Sequence, residues 1–213
     1  MWLDVTQNTP EWEALRIGRI GGSAIKYIMA NYGKPFGKPA HDIALQIALE
    51  KIDGQPHGSG YSNAHFERGH EQEPVARMFY EETTFCDVLN GGYFVVDENI
   101  GVSPDGRVGD NGIIEIKSRT ASVFYDAIKR GGYDPADKWQ IFFNLKSTGK
   151  SWLDYIEFCA DFPVNRRLQI TRVLTKDISK EFDMIDSQLY EFRNLVTEKT
   201  NVITGNIAEV AKA

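Results

Sequence analysis

Residues 85–117 break into three short runs, 85–96, 102–108 and 112–117, each rich in β-branched or aromatic residues and punctuated by glycine. Runs this brief and this close together are expected to pair as neighbouring strands. Two more such runs follow at 152–159 and 168–174. Elsewhere the apolar spacing is helical, over 12–17, 42–51, 63–82, 122–130, 135–146 and 177–197. Ser23, after the Gly21-Gly22 break, is expected to cap a further helix reaching Ala30. Pro74 is expected to open a second segment within 63–82, since proline suits a first turn. The turn-forming stretches 31–39 and 55–61 read as loops. The fold class is therefore α/β, a central mixed sheet flanked by helices. A chain of 213 residues that is 42% hydrophobic buries one sizeable core, and no repeat or long linker divides it. One domain over 1–213 is expected.

Several function classes drop out. No run of about 18 apolar residues offers a membrane span, and Met1-Trp2-Leu3-Asp4 lacks the basic-then-apolar order of a secretory signal. Cys86 and Cys159 form no C-x-x-C pair, which argues against structural zinc and suits a reducing cytoplasm. The net charge of -6 opposes binding to phosphates unless the basic residues are segregated. They are: Arg16, Arg19, Lys26, Lys34 and Lys38 occupy residues 14–40 with no acid among them, and Lys138, Lys146 and Lys150 do the same over 138–151. One positive face on an acidic remainder is the expectation, with chance clustering on solvated faces as the plain alternative.

The chemistry concentrates at Ser103-Pro104-Asp105-Gly106 and Glu115-Ile116-Lys117. Side chains alternate along a strand, so Glu115 and Lys117 share a face. A hairpin would bring Asp105, at the turn before it, beside Glu115. Two carboxylates with the Ile116 carbonyl make an all-oxygen site suited to Mg²⁺. Lys117 beside that metal is expected to have a depressed pKa and to orient or deprotonate a water. Phosphodiester hydrolysis uses this set, with a second metal stabilising the leaving oxygen. A surface hairpin with a Glu115–Lys117 ion pair is the simpler reading of the same residues.

The arrangement resembles the PD-(D/E)xK nuclease superfamily and, within it, the lambda exonuclease (YqaJ-type viral recombinase) family. The resemblance is collinear from Trp12 to Pro163. It rests on Leu15-Arg16-Ile17-Gly18 with Gly22-Ser23-Ala24, Gly69 through Glu73 to Ala76-Arg77, Ser103-Pro104-Asp105-Gly106, Glu115-Ile116-Lys117 and Gln140. It implies a restriction-endonuclease-like core over 12–163, with the C-terminal helix at 177–198 outside it. Asp105, Glu115 and the Ile116 carbonyl look like metal ligands, Glu73 like an added carboxylate and Lys117 like the catalytic lysine. Gln140 resembles the helix glutamine near the catalytic centre, although the family pattern is often Gln-x-Gln and this chain has Gln140-Ile141-Phe142. Arg16, Ser23 and Ser103 align with a pocket for the 5′-phosphate of a DNA end. Phe66 falls where an apolar wedge enters the terminal base pairs, and Lys34 and Lys38 fall on a loop that could track the DNA backbone.

The activity so implied is Mg²⁺-dependent 5′→3′ degradation of one strand of double-stranded DNA to 5′-mononucleotides, with Mn²⁺ able to substitute and two ions per site. A ring-shaped homotrimer, a single-strand annealing protein as partner and a cytoplasmic, phage- or prophage-encoded setting follow from the same resemblance. The alternatives are a structure-specific or restriction-type endonuclease of this superfamily, and a non-catalytic module that binds DNA ends. His65-Phe66-Glu67 lacks the P-C-x-x-C of a zinc deaminase, and Gly149-Lys150-Ser151 lacks the first glycine of a P-loop because Asn144 stands there.

Overall fold

A computed structural model describes residues 1–57 and 64–206. Its eight strands are β1 (Trp2–Leu3), β2 (Val88–Asn90), β3 (Tyr93–Val95), β4 (Gly101–Val102), β5 (Gly106–Val108), β6 (Gly112–Ser118), β7 (Trp152–Phe158) and β8 (Leu168–Leu174). The helices are α1 (Pro10–Arg16), α2 (Ile25–Met29), α3 (Lys38–Asp53), α4 (Ala64–Thr84), α5 (Ala121–Arg130), α6 (Lys138–Thr148) and α7 (Ser179–Thr204). Five strands form one sheet in the order β2-β5-β6-β7-β8, and β1-β3-β4 form a small second sheet. Only the β6–β7 pair is parallel among these ladders, and α5 and α6 fill the crossover that a parallel pair requires.

The period-2 pattern of β6 divides the core. Ile113 packs with Leu153, Tyr155 and Val173 beneath α2, α3, α6 and α7, whereas Ile114 and Ile116 pack with Ile156 and Phe158 against Ala76 and Tyr80 of α4. Glu115 and Lys117 lie on the Ile113 face and so rise toward α6. None of the described helices is long and apolar enough to cross a membrane.

Four local expectations are corrected. Runs 85–96 and 102–108 are each two strands in different sheets, because Gly91 lets the chain cross against Pro104, where a Cβ would come within 1.8 Å of the carbonyl oxygen. Helix α4 runs through Pro74: burial of Ala76 and Tyr80 on the sheet outweighs the lost backbone bond. Ala24, not Ser23, occupies the N-cap of α2, with no side-chain cap bond. Lys38 and Pro39 belong to the first turn of α3, where proline's missing N–H costs nothing, so the loop ends at Gly37.

Candidate active site

Glu115 is 2% exposed, and both of its oxygens are engaged. Lys117 Nζ donates to Oε1 at 2.8 Å, Gln140 Nε2 donates to the same oxygen at 2.6 Å, and Asn144 Nδ2 donates to Oε2 at 3.0 Å. Lys117 also donates to Gln140 Oε1 at 3.1 Å, closing a triangle of three side chains. Gln140 and Asn144 are four residues apart on α6, one above the other on the face turned to β6.

Asp105 is positioned by the hairpin. The β5–β6 ladder ends at Gly106↔Ile114, and the Asp105 N–H continues it to the Ile114 carbonyl at 3.1 Å. Beyond that point Ile116 has no strand neighbour on the β5 side, and its N–H donates to Asp105 Oδ2 instead. A strand residue turns its N–H and C=O to the same edge, so the Ile116 carbonyl also faces Asp105. From the other side of the sheet, α4 brings Glu73 and Arg77. Arg77 Nη2 donates to Glu73 Oε1 at 3.1 Å and to the Asp105 carbonyl. The Ala76-Arg77 motif marks Arg77 in the sequence, but its role as a clamp between α4 and the Asp105 backbone is a product of the tertiary fold.

Electrostatically the site is under tension. Burial pushes the Glu115 carboxyl up to about 7, with Asp105 adding to the rise and Lys117 opposing it. Burial and the Glu73 charge likewise raise Asp105 against Lys117, the Ile116 N–H and Arg77. Burial raises Glu73, with Arg77 opposing. Three carboxylates that resist ionising together are a donor set that a hard divalent cation relieves, and with the Ile116 carbonyl it is all oxygen, so the residues fit Mg²⁺. Among the described residues no group of three acidic, histidine or cysteine side chains is already gathered as a ligand cluster. Glu115 instead faces Lys117 and the two amides, and Glu73 faces Arg77.

A pH dependence follows. A carboxyl raised by folding contributes stability that is complete below its unfolded value, near 4, and is lost as pH rises through about 7. The metal-free protein is expected to lose roughly 3–10 °C in Tm between about pH 5.5 and pH 8.5, from a cost of roughly 1–3 kcal/mol. Added Mg²⁺ should raise Tm more at the higher pH. Equal Mg²⁺ shifts at both values in a thermal melt would contradict this origin.

Without a metal, Lys117 is governed by its acidic neighbours. Burial alone would lower its pKa, but Glu115, Asp137 and Asp105 outweigh it and hold the ammonium above its ordinary value. In this arrangement it is an ammonium that donates hydrogen bonds to Glu115 and Gln140. Asp137, unforeseen from sequence, is held low by Lys117, Tyr155 and Arg119 against the effect of burial. The Tyr155 hydroxyl donates to Asp137 Oδ2 at 2.7 Å, Arg119 donates to the same oxygen at 2.9 Å, and Arg119 and Arg130 clamp the buried Glu157.

The other candidates are dispersed. Arg16 stacks over Trp12 at 4.1 Å, and Trp12 Nε1 donates to Ser103 Oγ at 2.7 Å, so one indole joins Arg16 to Ser103, two residues from Asp105. Ser23 is exposed beside Gly22, which abuts Gln140 and Asn144. Lys34 is exposed on its loop, whereas Lys38 pairs with Asp42 on α3 at 2.6 Å. The side chain of Phe66 lies outside the described residues. The second basic stretch does not form a free positive face: Lys146 pairs with Asp186 at 2.8 Å, Lys138 with Glu181 at 3.9 Å, and Lys150 donates to the Asp110 carbonyl. In the first stretch, Arg19 donates to the Leu15 and Asp97 carbonyls.

Residues 11–151 match the YqaJ-like viral recombinase domain family. No curated protein matches the chain. Among solved structures, the alkaline exonuclease LHK-Exo from Laribacter hongkongensis superposes with a TM-score of 0.81 at 24% identity, covering 95% of this chain and 100% of its own. LHK-Exo in complex with dAMP gives 0.78 at 26% identity, over 93% and 100%. A phage-related exonuclease from Haemophilus somnus 129PT gives 0.63 at 14% identity, over 91% and 98%. The fold is that of these exonucleases.

Proposed function

Given that this chain belongs to the YqaJ-like viral recombinase domain family and is a nuclease of the lambda exonuclease type, we propose that it is a divalent-metal-dependent 5′→3′ exonuclease on double-stranded DNA ends. The products are 5′-mononucleotides and a strand ending 3′, ready for annealing. The observation that carries this reading is the meeting of Glu115, Lys117 and Gln140 at one point of β6, with Asp105 latched beside them through the Ile116 N–H. The structure of LHK-Exo with dAMP, a mononucleotide, supports the product class.

Asp105, Glu115 and the Ile116 carbonyl, with Glu73 from α4, would hold one or two Mg²⁺ ions, or Mn²⁺. Bound there, a cation would supply Lewis-acid chemistry, polarising the scissile phosphate and lowering the pKa of a water. Lys117, kept cationic by its acidic neighbours, donates to a non-bridging phosphate oxygen and to the incoming water, neutralising charge that grows in the transition state. Gln140 fixes the Lys117 ammonium and the Glu115 carboxylate relative to each other. Arg77 keeps the Asp105 backbone against α4. Arg16, flat on Trp12, offers its guanidinium fork to the terminal 5′-phosphate, with Ser103 and Ser23 as hydroxyl donors. Phe66 is the proposed wedge at the duplex end, with Lys34, and Lys38 once freed from Asp42, along the backbone. A homotrimeric ring around the DNA would let a chain of net charge -6 stay on its substrate, and a single-strand annealing protein would receive the exposed strand.

The test is release of acid-soluble nucleotides with Mg²⁺. Linear duplex should be degraded and covalently closed circular duplex left intact; cleavage of circles makes the protein an endonuclease. A 5′-hydroxyl end should initiate roughly 10-fold more slowly than a 5′-phosphate, the scale of losing one charge-assisted contact of about 1.5 kcal/mol. Equal initiation rates count against the Arg16 pocket.

A further inference from the structure

The second oxygen of Glu115 is held by a residue that no part of the reading above uses. We propose that Asn144 is a positioning residue: its amide, seated against Gly22, locks the carboxylate plane of Glu115 so that Oε1 stays turned to Lys117 and Gln140 and the carboxylate is held ready for the divalent cation it would bind. The inference rests on the proposed metal-dependent nuclease site and names one further residue that shapes it.

Asn144 is 1% exposed, and among the described residues its side chain makes one hydrogen bond, the 3.0 Å donation from Nδ2 to Glu115 Oε2. That link fixes the amide's orientation, because an oxygen turned to a carboxylate would repel it. Asn144 Oδ1 is consequently buried, with no hydrogen-bond partner among the described residues. A core position that keeps an unpaired acceptor, among the fully buried Ile141, Phe142, Phe143 and Leu145, gains nothing for stability that leucine would not supply better. The donor toward Glu115 is what distinguishes asparagine there.

Gly22 completes the arrangement. A Cβ at that position would lie 2.9 Å from Asn144 Oδ1 and 3.6 Å from Gln140 Cγ, so only glycine leaves the amide its seat. The backbone of Gly22 is not in the left-handed region, so an alanine there would not strain the backbone but would press its methyl on the Asn144 amide. The two amides divide the work. Gln140 acts on the oxygen shared with Lys117, and Asn144 holds the other, so the carboxylate cannot spin about its last bond. Phe142, two residues on from Gln140, is buried in the core; the second amide stands one helical turn beyond Gln140.

An outer-shell partner of this kind typically accounts for 10- to 100-fold in metal affinity. Asn144→Leu, close in shape and lacking the donor, is expected to weaken Mn²⁺ binding by roughly 10- to 100-fold in calorimetry of the full chain without DNA. Its nuclease activity should recover to within about 3-fold of wild type at saturating Mn²⁺, with KM for linear DNA unchanged, because the orientation of a ligand and not the DNA site is lost. Gly22→Ala, which keeps Asn144 but pushes its amide, should weaken Mn²⁺ binding in the same direction, and it carries the test by itself if Asn144→Leu does not fold. Wild-type Mn²⁺ affinity in either folded variant overturns the proposal, as does an activity loss that Mn²⁺ does not restore. Glu115→Gln separates the two levels. If it abolishes Mn²⁺ binding while Asn144→Leu leaves it intact, the metal site stands and the positioning role falls. If the unaltered chain binds no Mn²⁺, both fall.

Discussion

Replacing Glu115 by glutamine is expected to cut nucleotide release by about 10³-fold or more, the scale of removing a main stabiliser of transition-state charge, while leaving Tm at about pH 8 unchanged or higher. The two effects part because they have different causes. Glu115 is 2% exposed and its carboxyl is pushed up to about 7, so its negative charge at pH 8 is a cost that folding bears. Glutamine has the same shape and no charge. It can still accept from Lys117, but it offers a cation only a weak amide ligand. Lys117→Ala should lose activity as fully and shift stability the other way, since it strips a buried carboxylate of its nearest positive charge. Activity assays alongside thermal melts distinguish the pair. A Glu115→Gln protein that melts well below wild type would show that the carboxylate is a structural group whose hydrogen bonds matter more than its buried charge.

Among the described glycines, Gly91→Ala should be the most disruptive change to alanine. The added Cβ would lie 1.8 Å from the Pro104 carbonyl oxygen, 2.9 Å from its carbon and 3.1 Å from the Asp105 carbonyl carbon, all backbone. No rotamer change relieves such a contact; the Pro104-Asp105 segment has to move, and with it the Asp105 carboxylate that receives the Ile116 N–H. A loss on the order of 4 kcal/mol, at the upper end for point changes, is expected together with loss of nuclease activity. Gly109→Ala is the control. Gly109 has a φ of +53° and nothing within 4 Å of a Cβ, so it carries only the left-handed backbone penalty of about 1 kcal/mol. Chemical denaturation of both variants measures the difference. Comparable losses would mean that the crossing of β2–β3 against Pro104 is looser than these contacts require.

Which features were legible in the chain depends on how local they are. The pairing of Glu115 with Lys117 needs only the two-residue period of a strand, and β6 keeps that period from Gly112 to Ser118. Asp105 beside them needs only a hairpin, and its register bears the pairing out at Gly106↔Ile114. The breaks at Gly91-Gly92 and at Ser103-Pro104-Asp105 were written as glycine and proline in the sequence, but a strand that stops and one that changes sheets look alike until their neighbours are known. Pro74 misled for a related reason. Proline disfavours a helix interior locally, and the burial of Ala76 and Tyr80 that overrides it comes from strands far along the chain.

The basic residues show the same division. Segregation of charge along the sequence suggested a continuous positive face, but Lys138 and Lys146 are met by Glu181 and Asp186 of α7, more than 35 residues away. Likewise Asn144 could be marked in advance as one turn from Gln140, since four residues bring two side chains onto one helix face. That this face meets Glu115, and that Gly22 makes room for it, depends on β6, α6 and the turn before α2 coming together.

By itself the amino-acid order determined the mixed α/β class and the shared face of the acid and the lysine on β6, because alternation and turn chemistry act between neighbours in the chain. The folded molecule alone decided the acidic surroundings of that lysine, the clamp of Arg77 on Asp105 and the amide that steadies Glu115. Each of these depends on burial and on partners from separate elements, and neither dielectric nor distance is written in any one stretch of sequence.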